Sequence, residues 1–247
     1  MSLVQPRLPR LGLVLPAKDP GAGFEPHLSE LVSLATSRGS CEVLVIDDGS
    51  TRTDVSSRVY SPAFCLRHVS NMGKGAALRT GFTHFLSSGY EDDDLIGFID
   101  ADGDIPASCV FTLASLAADV DLVIGAKTSS YTASPYRKLA SGVFSVLTRI
   151  LMPTSVWQTQ VGVKVFKAGF LRRHLSCTVS EGFLLDVELL SCAYQNQDRI
   201  RVVGVDCTTA KYESTVTKRH VLQMFVSLCK LSFTTRRGRK FRSHRRI

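Results

Sequence analysis

Three aspartates stand at alternate positions in Phe98-Ile99-Asp100-Ala101-Asp102-Gly103-Asp104-Ile105-Pro106, directly after the apolar run Leu95–Ile99. Side chains two apart on an extended segment point the same way, so Asp100 and Asp102 could together offer hard oxygen ligands to a divalent cation, with water or a ligand's phosphates completing the shell. Without a cation, such a gathering of negative charge is unfavourable. Taken alone, the same residues also suit a solvated turn leading into a helix, where aspartate is common. A second candidate is Asn71-Met72-Gly73-Lys74-Gly75. A Gly-x-Gly turn before a helix frees backbone amides to approach phosphate, and Lys74 adds a cation. It is not a Walker A loop, because the Gly-Lys-Ser/Thr ending is missing. Asp47-Asp48-Gly49-Ser50 forms a third polar turn, and Asp186 and Glu188 lie two apart inside the apolar stretch 183–190. Buried carboxylates need partners, so these two are candidates to orient an acceptor or to act as a base. Asp186 is preferred, with a helix-surface position left open for one of the pair.

The elements that must position these groups alternate. Apolar strands are expected at 11–15, 42–46, about 65–69, 95–99 and 121–125, with helices at about 27–37, from Gly75 to about 86, and at about 107–117. Strands apolar on both faces, separated by helices, imply an α/β fold whose mostly parallel sheet is covered on both sides. Ligands in such sheets bind beyond the carboxyl ends of the strands, which is where Pro16-Ala17-Lys18-Asp19 and the three turns above all fall.

The chain has 247 residues, 44% of them hydrophobic, enough for one sizeable core. Its formal net charge of +8 is local: residues 230–247 hold eight of the 30 basic residues and none of the 22 acidic ones, leaving the body close to neutral. A terminal block of like charge is drawn to anionic membrane or nucleic acid. The seven cysteines are scattered and never spaced C-x-x-C, which argues for a reducing compartment and against a zinc site or disulfide framework. No apolar window reaches the ~20 residues of a membrane-crossing helix. Arg7 and Arg10 before Leu11–Leu15 imitate a signal peptide, but the apolar part is too short and reads as the first strand.

Val14-Leu15-Pro16-Ala17, Val45-Ile46-Asp47-Asp48-Gly49-Ser50-Thr51, Asn71-x-Gly73-Lys74-Gly75, Ile99-Asp100-Ala101-Asp102-Gly103, Thr159-Gln160-Val161-Gly162-Val163-Lys164-Val165-Phe166 and Asp186-Val187-Glu188-Leu189-Leu190 follow one another in this order. The series resembles family-2 glycosyltransferases over roughly residues 11–216, and within them the polyprenyl- and dolichyl-phosphate sugar synthases, the glucosyl branch in particular. The resemblance implies a GT-A fold and inverting transfer of a hexose, glucose before mannose, from UDP-glucose or GDP-mannose to polyprenyl or dolichyl phosphate. It also implies that Asp47 meets the base, with Asp48, Gly49 and Ser50 shaping that end of a donor pocket completed by Pro16, Ala17, Asp19, Asn71, Gly73, Lys74 and Ala101. Asp100 and Asp102 would hold Mg²⁺ or Mn²⁺ on the diphosphate, with Asp104 at a third, variable position. Lys127, Arg137, Ser141 and Lys164 would serve the acceptor phosphate, and Asp186 and Asp102 would be catalytic. Three departures stand out: Lys18-Asp19-Pro20 replaces the usual Tyr-Asn-Glu, Gln158 replaces an acid before Thr-Gln-x-Gly, and Gly182 stands where relatives often have arginine.

The chain end forms a separate stretch, 217–247. Leu222, Phe225, Val226, Cys229 and Phe233 would line one helical face beside basic residues, suiting a helix in a membrane interface or one packed on the protein's own core. The resulting expectation is a peripheral enzyme at the cytosolic face of a membrane that does not engage nucleic acid. A soluble glycosyltransferase with a small-molecule or protein acceptor, and a non-enzymatic nucleotide- or nucleic-acid-binding module, are the alternatives.

Overall fold

The structure is a computed structural model, and it describes residues 9–128, 161–180, 182 and 184–206. In chain order the described elements are β1 (Leu11–Ala17), α1 (Phe24–Arg38), β2 (Cys41–Asp47), β3 (Phe64–Arg67), α2 (Lys74–Ser87), β4 (Leu95–Ile99), α3 (Ser108–Ser115), β5 (Leu122–Lys127), β6 (Val163–Lys167), α4 (Ala168–His174), α5 (Leu185–Asn196) and β7 (Ile200–Val205). The strands form one sheet in the order β3-β2-β1-β4-β6-β5-β7. β6 runs antiparallel to β4 and β5, and the other pairings are parallel.

Strand alternation divides the core into two layers. Leu13, Leu15, Val43, Val45, Leu95, Ile99, Val163 and Val165 face α1 and α3, whereas Val14, Leu44, Ile46, Ile96, Phe98 and Phe166 face α2 and α5. Because both faces are covered, β1, β2 and β4 are apolar at nearly every position rather than at every second one. The second layer is held by a chain of rings, Phe82, Phe98, Phe166 and Phe170, with successive centroids 5.7–6.5 Å apart. Burying each such ring is worth about 2–3 kcal/mol.

The chain reverses direction across the sheet between β1 and β4, which lie side by side with β2 on one flank and β6 on the other. Such a switch point opens a crevice beyond the strand ends. Here that crevice lies between Ala17 and Asp100. The expected parallel sheet holds, with β6 as the exception; its reversed course brings Val161 and Gly162, ahead of its first residue, to the same rim.

Candidate active site

β4 ends at Ile99, so residues 100–104 form a turn, not the extended segment on which the alternation argument relied. Asp100 continues the Phe98 side of the strand. Its N–H donates to Gly162 O (2.9 Å), and its Oδ1 lies 2.5 Å from Lys74 Nζ. The other oxygen fills the space beside Gly162: a Cβ there would come within 2.0 Å of Asp100 Oδ2. Lys74 opens α2 and is ringed by protein atoms, yet its side chain stays 24% exposed and that of Asp100 31% exposed, the mark of a cleft floor. Burial alone would lower the Lys74 ammonium, but Asp100, Asp186 and Asp102 together raise it above the usual lysine range. Asp102 is pushed up by the protein around it and by the charge of Asp100.

Asp104 does not complete a three-carboxylate array. Gly103 takes a φ of +76° and turns the chain, and the Asp104 N–H donates back to Asp102 Oδ1 (3.1 Å). Among the described residues no three aspartate, glutamate, histidine or cysteine side chains gather as a metal cage. The donor set left is two carboxylates, Asp100 at the cleft floor and the exposed Asp102 beside it, near enough to feel its charge. Their mutual repulsion is what a divalent cation would relieve, and two protein carboxylates suit a cation whose shell is completed by a ligand's phosphates and water. Ala101 between them is buried in the first core layer.

The β1–β2–β3 end of the rim is a fixed hydrogen-bonded frame. Ala17 O accepts the Asp48 N–H (2.8 Å), and Pro16 and Ala17 pair with Ile46 and Asp47. Asp48 Oδ1 accepts the Met72 N–H and Oδ2 the Gly73 N–H, each at 2.8 Å. His68 Nδ1 also donates to Asp48 Oδ1 (2.8 Å), while its Nε2 lies 2.9 Å from Thr80 Oγ1 on α2. Asn71 Oδ1 adds a second acceptor for the Gly73 N–H (3.1 Å). Asp48 therefore holds the turn that delivers Lys74. Asp19 does comparable work: its Oδ1 accepts the N–H groups of Thr51 and Arg52, and its own N–H donates to Ser50 Oγ. Gly49, at φ +64°, lies against the Ser70 backbone, where a Cβ would meet Ser70 C at 2.4 Å. Asp47 is fully buried; Oδ1 accepts the Ser50 N–H (2.9 Å), and Oδ2, 3.4 Å from Arg67 Nε, makes no hydrogen bond among the described residues. It is a buried acceptor with no hydrogen-bond donor among those residues, shielded from the cleft and faced by the half-exposed Arg67.

Across the cleft, Asp186 sits in the first turn of α5. Its Oδ2 accepts from Lys164 Nζ and its Oδ1 from the Val187 N–H, both at 2.8 Å. Lys164, expected to meet the acceptor, is instead wholly buried and also donates to Val161 O (2.8 Å); the reversed course of β6 points it into the second core layer. Burial pushes its ammonium below the usual lysine range despite Asp186. Glu188 is buried too, so the surface position left open for one of the two acids is taken by neither. Glu188 Oε2 accepts the N–H groups of Val179 and Ser180, while Arg79 donates to the carbonyls of Leu175 and Thr178, and together they fix the loop before α5. Lys127 closes β5 at this rim. Arg137, Ser141, Gln158, Thr159, Gln160, the amphipathic stretch and the basic tail lie outside the described residues. Sequence reasoning missed His68, Thr80 and the space above Gly162. His68 could have been found, since it follows β3 as the other polar turns follow their strands.

Residues 25–177 match the family model described as Glycosyl transferase family 2. The fold is similar to crystal structures of glucosyl-3-phosphoglycerate synthase from Mycobacterium tuberculosis. The complex with Mn²⁺, UDP and phosphoglyceric acid gives a TM-score of 0.64 at 21% identity, covering 90% of this chain and 78% of that one. A second, with Mn²⁺, UDP-glucose and phosphoglyceric acid, gives 0.64 at 20% identity over 90% and 80%. At this identity the likeness speaks for the fold, the mostly parallel GT-A sheet. No curated protein matches the chain.

Proposed function

The chain belongs to glycosyl transferase family 2 and is a nucleotide-sugar-dependent glycosyltransferase, and from that premise we propose that it transfers glucose from UDP-glucose to a polyprenyl or dolichyl phosphate, with inversion at the anomeric carbon. The observation that carries this reading is the meeting of Asp100, Asp102, Lys74 and Asp186 beyond the end of β4, at the switch point of the sheet. In the proposed reaction an acceptor phosphate oxygen forms a bond to the anomeric carbon as the bond to the donor's diphosphate breaks, and the nucleoside diphosphate leaves with the electron pair. Asp47 would meet the base once the half-exposed Arg67, 3.4 Å from its buried Oδ2, moves aside. Asp100 and Asp102 would hold Mg²⁺ or Mn²⁺, which when bound neutralises charge on the departing diphosphate. Lys74 adds a fixed positive charge beside that diphosphate. Asp186 orients the acceptor; an acceptor phosphate is already anionic and needs no strong base. Mg²⁺ or Mn²⁺ dependence in this chain is supported by the neighbouring carboxylates of Asp100 and Asp102 and by the Mn²⁺ and UDP found together in the similar synthase.

Radiolabelled UDP-glucose and GDP-mannose, each with Mg²⁺ or Mn²⁺ and short-chain polyprenyl phosphate, test the reading: glucose should appear in the organic-extractable product only with metal. Label that stays water-soluble in every arm defeats it. A second reading, transfer to a small phosphorylated molecule, is favoured by the phosphoglyceric acid bound in the similar structures; it predicts a water-soluble product from 3-phosphoglycerate and turnover without lipid. The first reading places the enzyme at the cytosolic face of a membrane, held by residues 217–247, and predicts sedimentation with anionic vesicles that is lost at high salt. No described helix is long and apolar enough to cross a membrane.

A further inference from the structure

We infer that Lys164 is a positioning residue whose buried ammonium sets the Asp186 carboxylate at the rim, without itself meeting the acceptor. The inference rests on the proposed role of Asp186. Lys164 stands between Val163 and Val165, directly across from Phe98 in the β4–β6 register, in a layer otherwise made of aromatic and aliphatic side chains. An apolar residue there would continue the alternation at no electrostatic cost, whereas a buried cation is tolerated only with its partners in place. Those partners are Val161 O, Asp186 Oδ2 and the Phe98 ring, whose centroid lies 5.2 Å away. Since Asp186 Oδ1 accepts the Val187 N–H, both of its oxygens are tied and the carboxylate has one orientation.

The same Phe98 ring carries Lys74 at 5.4 Å, and the two lysine–aspartate pairs around it differ in one respect. Lys74 and Asp100 keep 24% and 31% of their side chains exposed, so either can exchange its partner for a ligand. Lys164 and Asp186 keep 0% and 11%, so only the aspartate reaches the cleft. The closed lysine is therefore the support and its aspartate the working group, the arrangement by which a buried neighbour fixes the geometry of a site residue.

The test compares Lys164→Met, Lys164→Arg, Asp186→Asn and the double variant Lys164→Met/Asp186→Asn by crystal structure, by UDP affinity with Mn²⁺, and by kcat and KM for glucose transfer. In Lys164→Met the Asp186 carboxylate should move by ~1 Å and kcat fall about 100-fold, while UDP affinity stays within about threefold. Lys164→Arg should recover part of kcat, and the double variant should match Asp186→Asn alone. The inference is overturned if Asp186 stays in place with kcat near wild type, if UDP affinity falls in step with kcat, or if the double variant is about tenfold worse than Asp186→Asn. Should Lys164→Met fail to fold, the double variant, which leaves no unpaired charge in the layer, decides the matter against Asp186→Asn. A wild-type protein that neither binds UDP with Mn²⁺ nor transfers glucose defeats the proposed function, and the crystal structures still decide where Asp186 goes without Lys164.

Discussion

The two edges of the sheet carry charge in opposite ways. At the amino-end edge, acids and bases pair off: Arg10 with Asp94, Lys167 with Asp93, Arg172 with Asp92, Arg173 with Asp121 and Asp198, and Arg199 with Asp121. These pairs close loops between strands. Around the switch point of the carboxyl-end rim, three carboxylates, Asp100, Asp102 and Asp186, face two ammonium groups, Lys74 and the buried Lys164, and Asp102 is pushed up by the protein around it and by the charge of Asp100. Matched charge stabilises a fold and unmatched charge awaits a ligand, so the edges should respond in opposite ways to losing a carboxylate.

The sharpest way to break that contrast is Asp102→Asn. Transfer should drop by about 10³-fold, because charge developing on the leaving diphosphate loses part of its support. The melting temperature should hold or rise, since repulsion from Asp100 disappears. A clear fall in melting temperature would make the rim structural. At the opposite edge, Asp94→Ala should cost about 3 kcal/mol in urea unfolding and leave transfer per folded molecule unchanged, because buried Asp94 accepts from the Arg10 and Glu91 N–H groups and from Arg10 Nε. Burial alone would raise the Asp94 carboxyl, but these donors outweigh it and hold the group below its ordinary 3.8. A depressed folded value means that its stabilisation is full above pH ~3.8 and is lost as pH falls through the folded value. Unfolding curves of wild type and variant should therefore converge in acid below about pH 4; a gap that stays constant there would remove Asp94 from the account.

The legible and illegible parts of the molecule divide along physical lines. β1, β2 and β4 can be read from sequence because strands covered on both faces are unbroken apolar runs, and Asp47, Asp48 and Asp100 stand out because acids directly follow such runs. β6 is harder: Lys164 interrupts Val163-Val165-Phe166, and the direction of a strand leaves no local trace. The roles of Asp48 and Asp19 as frame residues depend on partners 20–33 positions away, among them Gly73, His68, Thr51 and Arg52, and a chain read locally cannot pair them. Gly162 lay inside a recognised motif, but its reason is a volume shared with Asp100, visible only when β4 and β6 lie together.

That shared volume allows a finer test of the rim than deleting a carboxylate. In Gly162→Ala the new methyl group must displace the Asp100 carboxylate and would also stand 3.0 Å from Asp100 Cβ, so the fold should lose about 1–3 kcal/mol. Metal-dependent UDP affinity should fall by about 10- to 30-fold, the scale on which misplaced support weakens a metal site. Unchanged affinity would separate Asp100 from metal binding.

The smallest effect marks the other limit. Asp93 is 91% exposed and pairs with Lys167 at 3.0 Å, so Asp93→Asn should change stability by no more than about 0.5 kcal/mol and leave transfer untouched. The reason lies in the environment: water screens both partners, and immobilising the lysine offsets most of the Coulomb gain. Asp93 and Asp94 are adjacent in sequence and lie at the same edge, each paired with a base, so their effects set an exposed pair against a buried, multiply hydrogen-bonded one. If Asp93→Asn proved as costly as Asp94→Ala, the edge would act as one coupled network, and its contrast with the rim would rest on charge number instead of on desolvation.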